Sequence, residues 1–121
     1  MVRPLKPLYW VGTAYRDLLA MPADVIDTFG FALHLAQGGG KHAQAKPLKG
    51  FGSASVLEVV EDYRGDTFRA VYTVKVANGI YVLHCFQKKS TRGIATSRQD
   101  LDLVADRLKR VLSHIEGASN D

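Results

Sequence analysis

Three stretches in the second half of the chain alternate or run apolar in the manner of strands. VLEVVEDY (56–63), DTFRAVYTVKV (66–76) and GIYVLHCFQKK (79–89) are rich in β-branched and aromatic residues, and only Arg64-Gly65-Asp66 and Asn78-Gly79 separate them. Those joints are hairpin signals, so the pattern predicts a three-strand antiparallel meander. Near the start, PLYWVG (7–12) follows Pro4 and Pro7, which suits an edge strand. TAYRDLLAM (13–21) predicts a short helix. A second helix begins at Pro22, with Asp24 and Asp27 in its early turns, where carboxylates favour the positive end of the helix dipole. Its apolar face is Ile26, Phe29, Leu33 and Ala36, and the glycines at 38–40 stop it. The last helix opens at Thr96-Ser97 with Asp100 in a cap-like position. It repeats apolar residues at Leu101, Val104, Ala105, Leu108, Val111, Leu112 and Ile115.

The expected order is β-α-α-β-β-β-α, an α+β fold whose twisted, mainly antiparallel sheet carries its helices on one face. The 121 residues suit a single domain over 1–121. GGGKHAQAKPLKGFGSAS (38–55) reads as one long loop, a length usually associated with function or mobility. Parity in the middle strand assigns Phe68, Ala70, Tyr72, Val74 and Val76 to the packed face. Arg69 then points to the opposite face, expected to be uncovered. Pairing through Asn78-Gly79 brings the last strand's end beside it, so Arg69 converges with Lys88 and Lys89.

Charge adds weight to that face. The formal net charge is +4. Residues 1–40 hold three basic and three acidic residues, residues 41–92 hold nine and four, and the tail holds four and five. The excess, nine minus four, therefore lies in the middle segment, which favours a polyanionic partner over a general solubility charge. Lys41, Lys46 and Lys49 in the long loop and Arg92 beyond the last strand extend this basic region. A plainer reading makes Lys88, Lys89 and Arg92 guards against edge pairing, and Arg69 a surface partner of Glu58 or Glu61.

Other chemistry is sparse. His34, His42, His84 and Cys85 show no paired ligand spacing, so no metal site is expected. GGGK (38–41) and GFGSAS (50–55) are incomplete as phosphate or dinucleotide loops, so no cofactor is expected either. Among the aromatic residues, only Phe51 in its glycine loop looks free to stack on a base. A single cysteine in an apolar strand and the interruption of every early apolar run by Arg3, Lys6 or Asp17 predict a cytoplasmic protein with no membrane partner.

Four motifs in succession carry a resemblance. Lys46 to Gly50 (K-x-L-x-G), a strand bearing Glu58, Gly65 to Tyr72 (G-x-x-F-R-x-x-Y) and Leu83 to Ser90 (L-H-x-F-x-K-K-S) follow one another over the middle of the chain. This series resembles the phage-derived, HigB-like branch of the RelE/ParE toxin superfamily of type II toxin–antitoxin systems. The resemblance implies a RelE-like fold and a ribosome-dependent mRNA endonuclease that inhibits translation. It also implies a cognate antitoxin, commonly a helix-turn-helix protein, with ribosome and mRNA as targets. By position, Arg69 and Lys88 or Lys89 match the family's basic site residues, with Glu58 or His84 left as proton acceptors and Lys41, Lys46, Lys49 and Arg92 as RNA contacts. The family's frequent Glu-Leu-Arg is Glu58-Val59-Val60 here, and no tyrosine follows the basic strand end. These departures leave the general acid and base open. They also keep two other functions in view, a ParE-like inhibitor of DNA gyrase and a non-catalytic module that binds nucleic acid or ribosomes.

Overall fold

The computed structural model describes residues 4–51, 55–88 and 96–119. Strand β1 (Leu8–Trp10) leads into helices α1 (Ala14–Leu19) and α2 (Ala23–Gln37). Strands β2 (Ala45–Pro47), β3 (Val56–Tyr63), β4 (Asp66–Val76) and β5 (Gly79–Lys88) follow, and helix α3 (Arg98–Ser119) comes last. The sheet is mixed and five-stranded in the order β1-β5-β4-β3-β2. β1 is an edge strand, as its prolines require, and runs parallel to β5; the other pairs are antiparallel.

Local chemistry accounts for most element ends. α2 stops in a Schellman arrangement: Gly39 takes φ +88° and donates to the Ala36 carbonyl, while Gly40 donates to that of Leu35. Two tight turns close the meander. Arg64 and Gly65 have φ of +52° and +87°, and Ala77 and Asn78 have +46° and +56°. Positive φ at both central residues is the type I′ geometry that matches strand twist. The second turn is therefore centred one residue earlier than Asn78-Gly79. Gly79 instead begins β5, where a Cβ would lie 3.0 Å from the Tyr9 ring. At α3, Ser97 Oγ accepts from the Asp100 backbone N–H and donates to the Asp100 carboxylate, the cap expected at that spot.

Two expectations need correction. Within 38–55 the chain forms β2, whose Ala45, Lys46 and Pro47 pair with Val59, Glu58 and Leu57. The helices also cover both faces of the sheet. On one side α1 and α2 pack Leu18, Val25, Phe29 and Leu33 against Phe68, Ala70, Tyr72, Val82 and Cys85. On the other, α3 packs Val104, Leu108 and Val111 against Val56, Val71, Leu83 and Phe86. Three aliphatic side chains on one stripe of α3 must be buried somewhere, at about 1.5–3 kcal/mol each, and the first face is already filled. Val71 and Leu83 provide the apolar floor on the second. Phe51 packs against this α3-side core, so it is not free as a stacking platform.

Candidate functional site

The ladder aligns polar side chains in rows across the α3 face. Lys46 of β2 pairs with Glu58 of β3, Glu58 with Val71 of β4, and Val71 with His84 of β5. The next row is Val60, Arg69 and Phe86, and the one after it Asp62, Thr67 and Lys88. Opposed residues share a face, so Glu58, Arg69, His84 and Lys88 all project to the α3 side. The parity expected for Arg69 is correct. The expected exposure is not: α3 begins over it, and Arg69 is 3% exposed.

A guanidinium in that position needs a partner close by. Arg69 Nη1 donates to Glu58 Oε2 at 3.1 Å and to Thr96 Oγ1 at 2.6 Å, and the Thr96 hydroxyl donates to Glu58 Oε2 at 3.2 Å. Lys46 Nζ, on a half-exposed side chain, lies 3.8 Å from Glu58 Oε1. These groups line a cavity of about 240 Å³ with Lys49 at its edge and Leu101 as an apolar wall. Among the described residues, three cations and one carboxylate line it, a net excess of two positive charges.

His84 and Lys88 belong to a different depression. A cleft of about 710 Å³ runs along the C-terminal half of β5, between α1 and the start of α3. His84 stacks on Phe86 at 4.3 Å between ring centroids, and its Nε2 lies 2.9 Å from Asp100 Oδ1. Burial is the main influence on His84 and pulls its pKa below the usual 6.5; the Asp100 contact opposes this. Burial likewise pushes the Cys85 thiol up to about 12, so it stays protonated at neutral pH. Lys88 faces Thr67 across the ladder and lines the same cleft, with Phe86 occupying the place opposite Arg69.

The sequence-derived set thus divides in two. Arg69, Glu58, Lys46 and Lys49 line the cavity, and His84 and Lys88 line the cleft, with Lys88 two residues along β5 from the place opposite Arg69 and on the same face. Lys41 is exposed and lines neither depression. Lys89 and Arg92 lie outside the described residues. Thr96 and Asp100, legible as cap residues, also contact Arg69 and His84. Arg107 went unnoticed because it sits in the apolar stripe of α3. There it is buried and donates to the Leu83 carbonyl and the Thr13 hydroxyl. Among the described residues no group of three or more His, Cys, Asp or Glu is arranged to hold a metal ion, and no helix is long and apolar enough to cross a membrane.

The family model described as "Phage derived protein Gp49-like (DUF891)" matches residues 16–109. The chain belongs to this Gp49-like family. The matched span runs from α1 into α3 and contains the residues that line both the cavity and the cleft. No curated protein and no solved structure gives a significant match.

Proposed function

We propose that this Gp49-like protein is the toxin of a type II toxin–antitoxin system, with a RelE-like fold, and that it cleaves mRNA on the ribosome. The observation that carries the reading is the cavity in which Lys46, Lys49 and Arg69 surround Glu58. Fixed cationic donors stabilise a phosphate best where its negative charge grows. In this mechanism the RNA 2′-oxygen forms a bond to phosphorus, and the bond from phosphorus to O5′ breaks. A 2′,3′-cyclic phosphate and a 5′-hydroxyl result, and no cofactor is consumed. The 2′-hydroxyl proton passes to a base and the O5′ oxyanion takes one from an acid. Lys46 is the exposed cation that meets the phosphate. Arg69, held by Glu58 and Thr96, supplies fixed positive charge behind it. Glu58 is the base nearest that phosphate position, whereas His84 faces the other cleft.

Incubating the purified chain with ribosomes carrying message and mapping new 5′ ends tests this. Lys46→Ala with Lys49→Ala alters exposed side chains, and an unchanged melting temperature of the double variant distinguishes a loss of charge from a loss of fold. The double variant is expected to slow cleavage by about 100-fold or more, the scale of losing groups that stabilise charge in the transition state. An unchanged rate rejects the assignment. Intact message accompanied by DNA breaks after expression selects the gyrase-inhibitor alternative.

A further inference from the structure

The outer face of α2 sets a large apolar side chain next to a gap. Ala23, Asp27, Gly30, Phe31, His34 and the capping Gly38 recur at three- and four-residue spacing, so they share one stripe about 22 Å long, and all six are exposed. Phe31 is 56% exposed, and the His42 ring packs edge-on against it at 5.7 Å between centroids. A Cβ at Gly30 would meet no described atom within 4 Å. An interior helical glycine is destabilising relative to alanine, and no packing among the described residues requires this one. At the end of the stripe Leu5, also exposed, lies beside Gly38.

We propose that this stripe is the interface of a homodimer in which the α2 helices of two copies pack antiparallel. The order of its residues selects a second copy. Ala23 and Gly38, Asp27 and His34, and Gly30 and Phe31 are each placed symmetrically about one point between residues 30 and 31. A two-fold axis through that point sets every residue against its symmetric counterpart, as an isologous contact requires. Phe31 then fills the gap over the partner's Gly30, and the Asp27 carboxylate accepts a hydrogen bond from the partner's His34. Leu5 comes beside the partner's Ala23. A parallel pairing would oppose Asp27 to Asp27 and Phe31 to Phe31 and leave both gaps empty. A different protein would need complementarity only on its own side, whereas symmetry within α2 is used only by another copy. One helix pair is a small contact, so the dimer is reversible and of the weak class. α2 lies across the sheet from α3, and pairing leaves the Lys46–Arg69 cavity open in both copies. The inference does not rest on the nuclease reading.

Sedimentation equilibrium of the full chain is expected to show a reversible monomer–dimer equilibrium in the micromolar range. Gly30→Gln puts a good helix former into the gap, and Phe31→Glu removes the ring that fills it. Each is expected to weaken dimerisation by at least about tenfold. The melting temperature of Gly30→Gln, measured where the wild type is monomeric, should not fall, which separates lost contact from lost fold. Asp27→Lys and His34→Asp are each expected to weaken self-association by about threefold or more. Mixing these two variants restores it, because lysine at 27 then faces aspartate at 34. The proposal is overturned if the chain stays monomeric at millimolar concentration, as it would if the face served a different protein. It is equally overturned if Gly30→Gln or Phe31→Glu leaves the dimer unchanged, or if the mixture associates no better than its components.

Discussion

Arg69 Nη1 lies 3.1 Å from Glu58 Oε2 with both side chains at most 5% exposed, a charge pair roofed by the start of α3. Such a pair is costly to break and cheap to replace. Removing one partner leaves an uncompensated buried charge, so Arg69→Ala is expected to lower unfolding free energy by about 3–5 kcal/mol. Exchanging both partners, Arg69→Met with Glu58→Leu, should recover most of that loss because no charge is stranded. Urea unfolding of the single and double variants checks this. A double variant as unstable as the single one would show that packing, and not charge compensation, dominates.

The same pair explains which parts of the fold the sequence conceals. β3 to β5 and the three helices are legible because turn residues and periodicity agree with tertiary structure. β2 is not, since three residues carry no detectable alternation and pairing with β3 alone defines them. The two-sided burial is hidden by Arg69, Thr73 and Lys75, which make β4 look amphipathic. A contrary signal lies in β5, where Ile80 to Phe86 runs apolar with little alternation, as strands covered on both faces do. Glu58 was legible as a partner for Arg69 from the neighbouring strand, but the burial of the pair was not. The contacts of Thr96 and Arg107 depend on where α3 lies, which no local pattern encodes.

Gly12 and Arg107 form a second interdependence. Gly12 has φ +58°, and a Cβ there would lie 2.9 Å from the Arg107 guanidinium carbon. Alanine would meet both an unfavourable backbone conformation and the side chain that holds the Leu83 carbonyl and Thr13 hydroxyl. Gly12→Ala is expected to destabilise by about 2–4 kcal/mol, from left-handed strain plus the displaced hydrogen bonds. If thermal unfolding shows a loss within about 0.5 kcal/mol, the size of an ordinary surface change, the close approach does not constrain the native state.

His84 gives stability a defined pH dependence. Its folded pKa lies below 6.5 mainly because of burial; Asp100 and Asp17 act against the shift, and Arg107 acts with it. The unfolded chain therefore takes up a proton at this site before the folded chain does. The contribution is complete above pH 6.5 and declines as pH falls from 6.5 towards the folded pKa, at no more than about 1.4 kcal/mol per pH unit. His84→Gln removes the titration and can retain a hydrogen bond to Asp100. The difference between wild type and variant in urea unfolding should thus slope with pH below 6.5 and be flat above it. A difference that is flat throughout would mean that the folded and unfolded imidazoles titrate alike.

The turn joining β4 and β5 is the clearest place to gain stability. Ala77 and Asn78 both adopt positive φ, yet alanine is poorly suited to that region and asparagine stands at the position where glycine fits best. Ala77→Asn together with Asn78→Gly installs the preferred type I′ pair without touching the core. The left-handed penalty at position 77 is about 1–2 kcal/mol for alanine and smaller for asparagine, whose side chain hydrogen-bonds locally. Glycine at 78 lowers the strain further but adds freedom to the unfolded chain, which offsets about 0.4–1 kcal/mol. The net expectation is a gain of about 1 kcal/mol, or about 4 °C in melting temperature for a chain of this size. Calorimetry of the double variant decides the matter: a lower melting temperature would mean that the Ala77 carbon makes a contact worth more than the strain it carries.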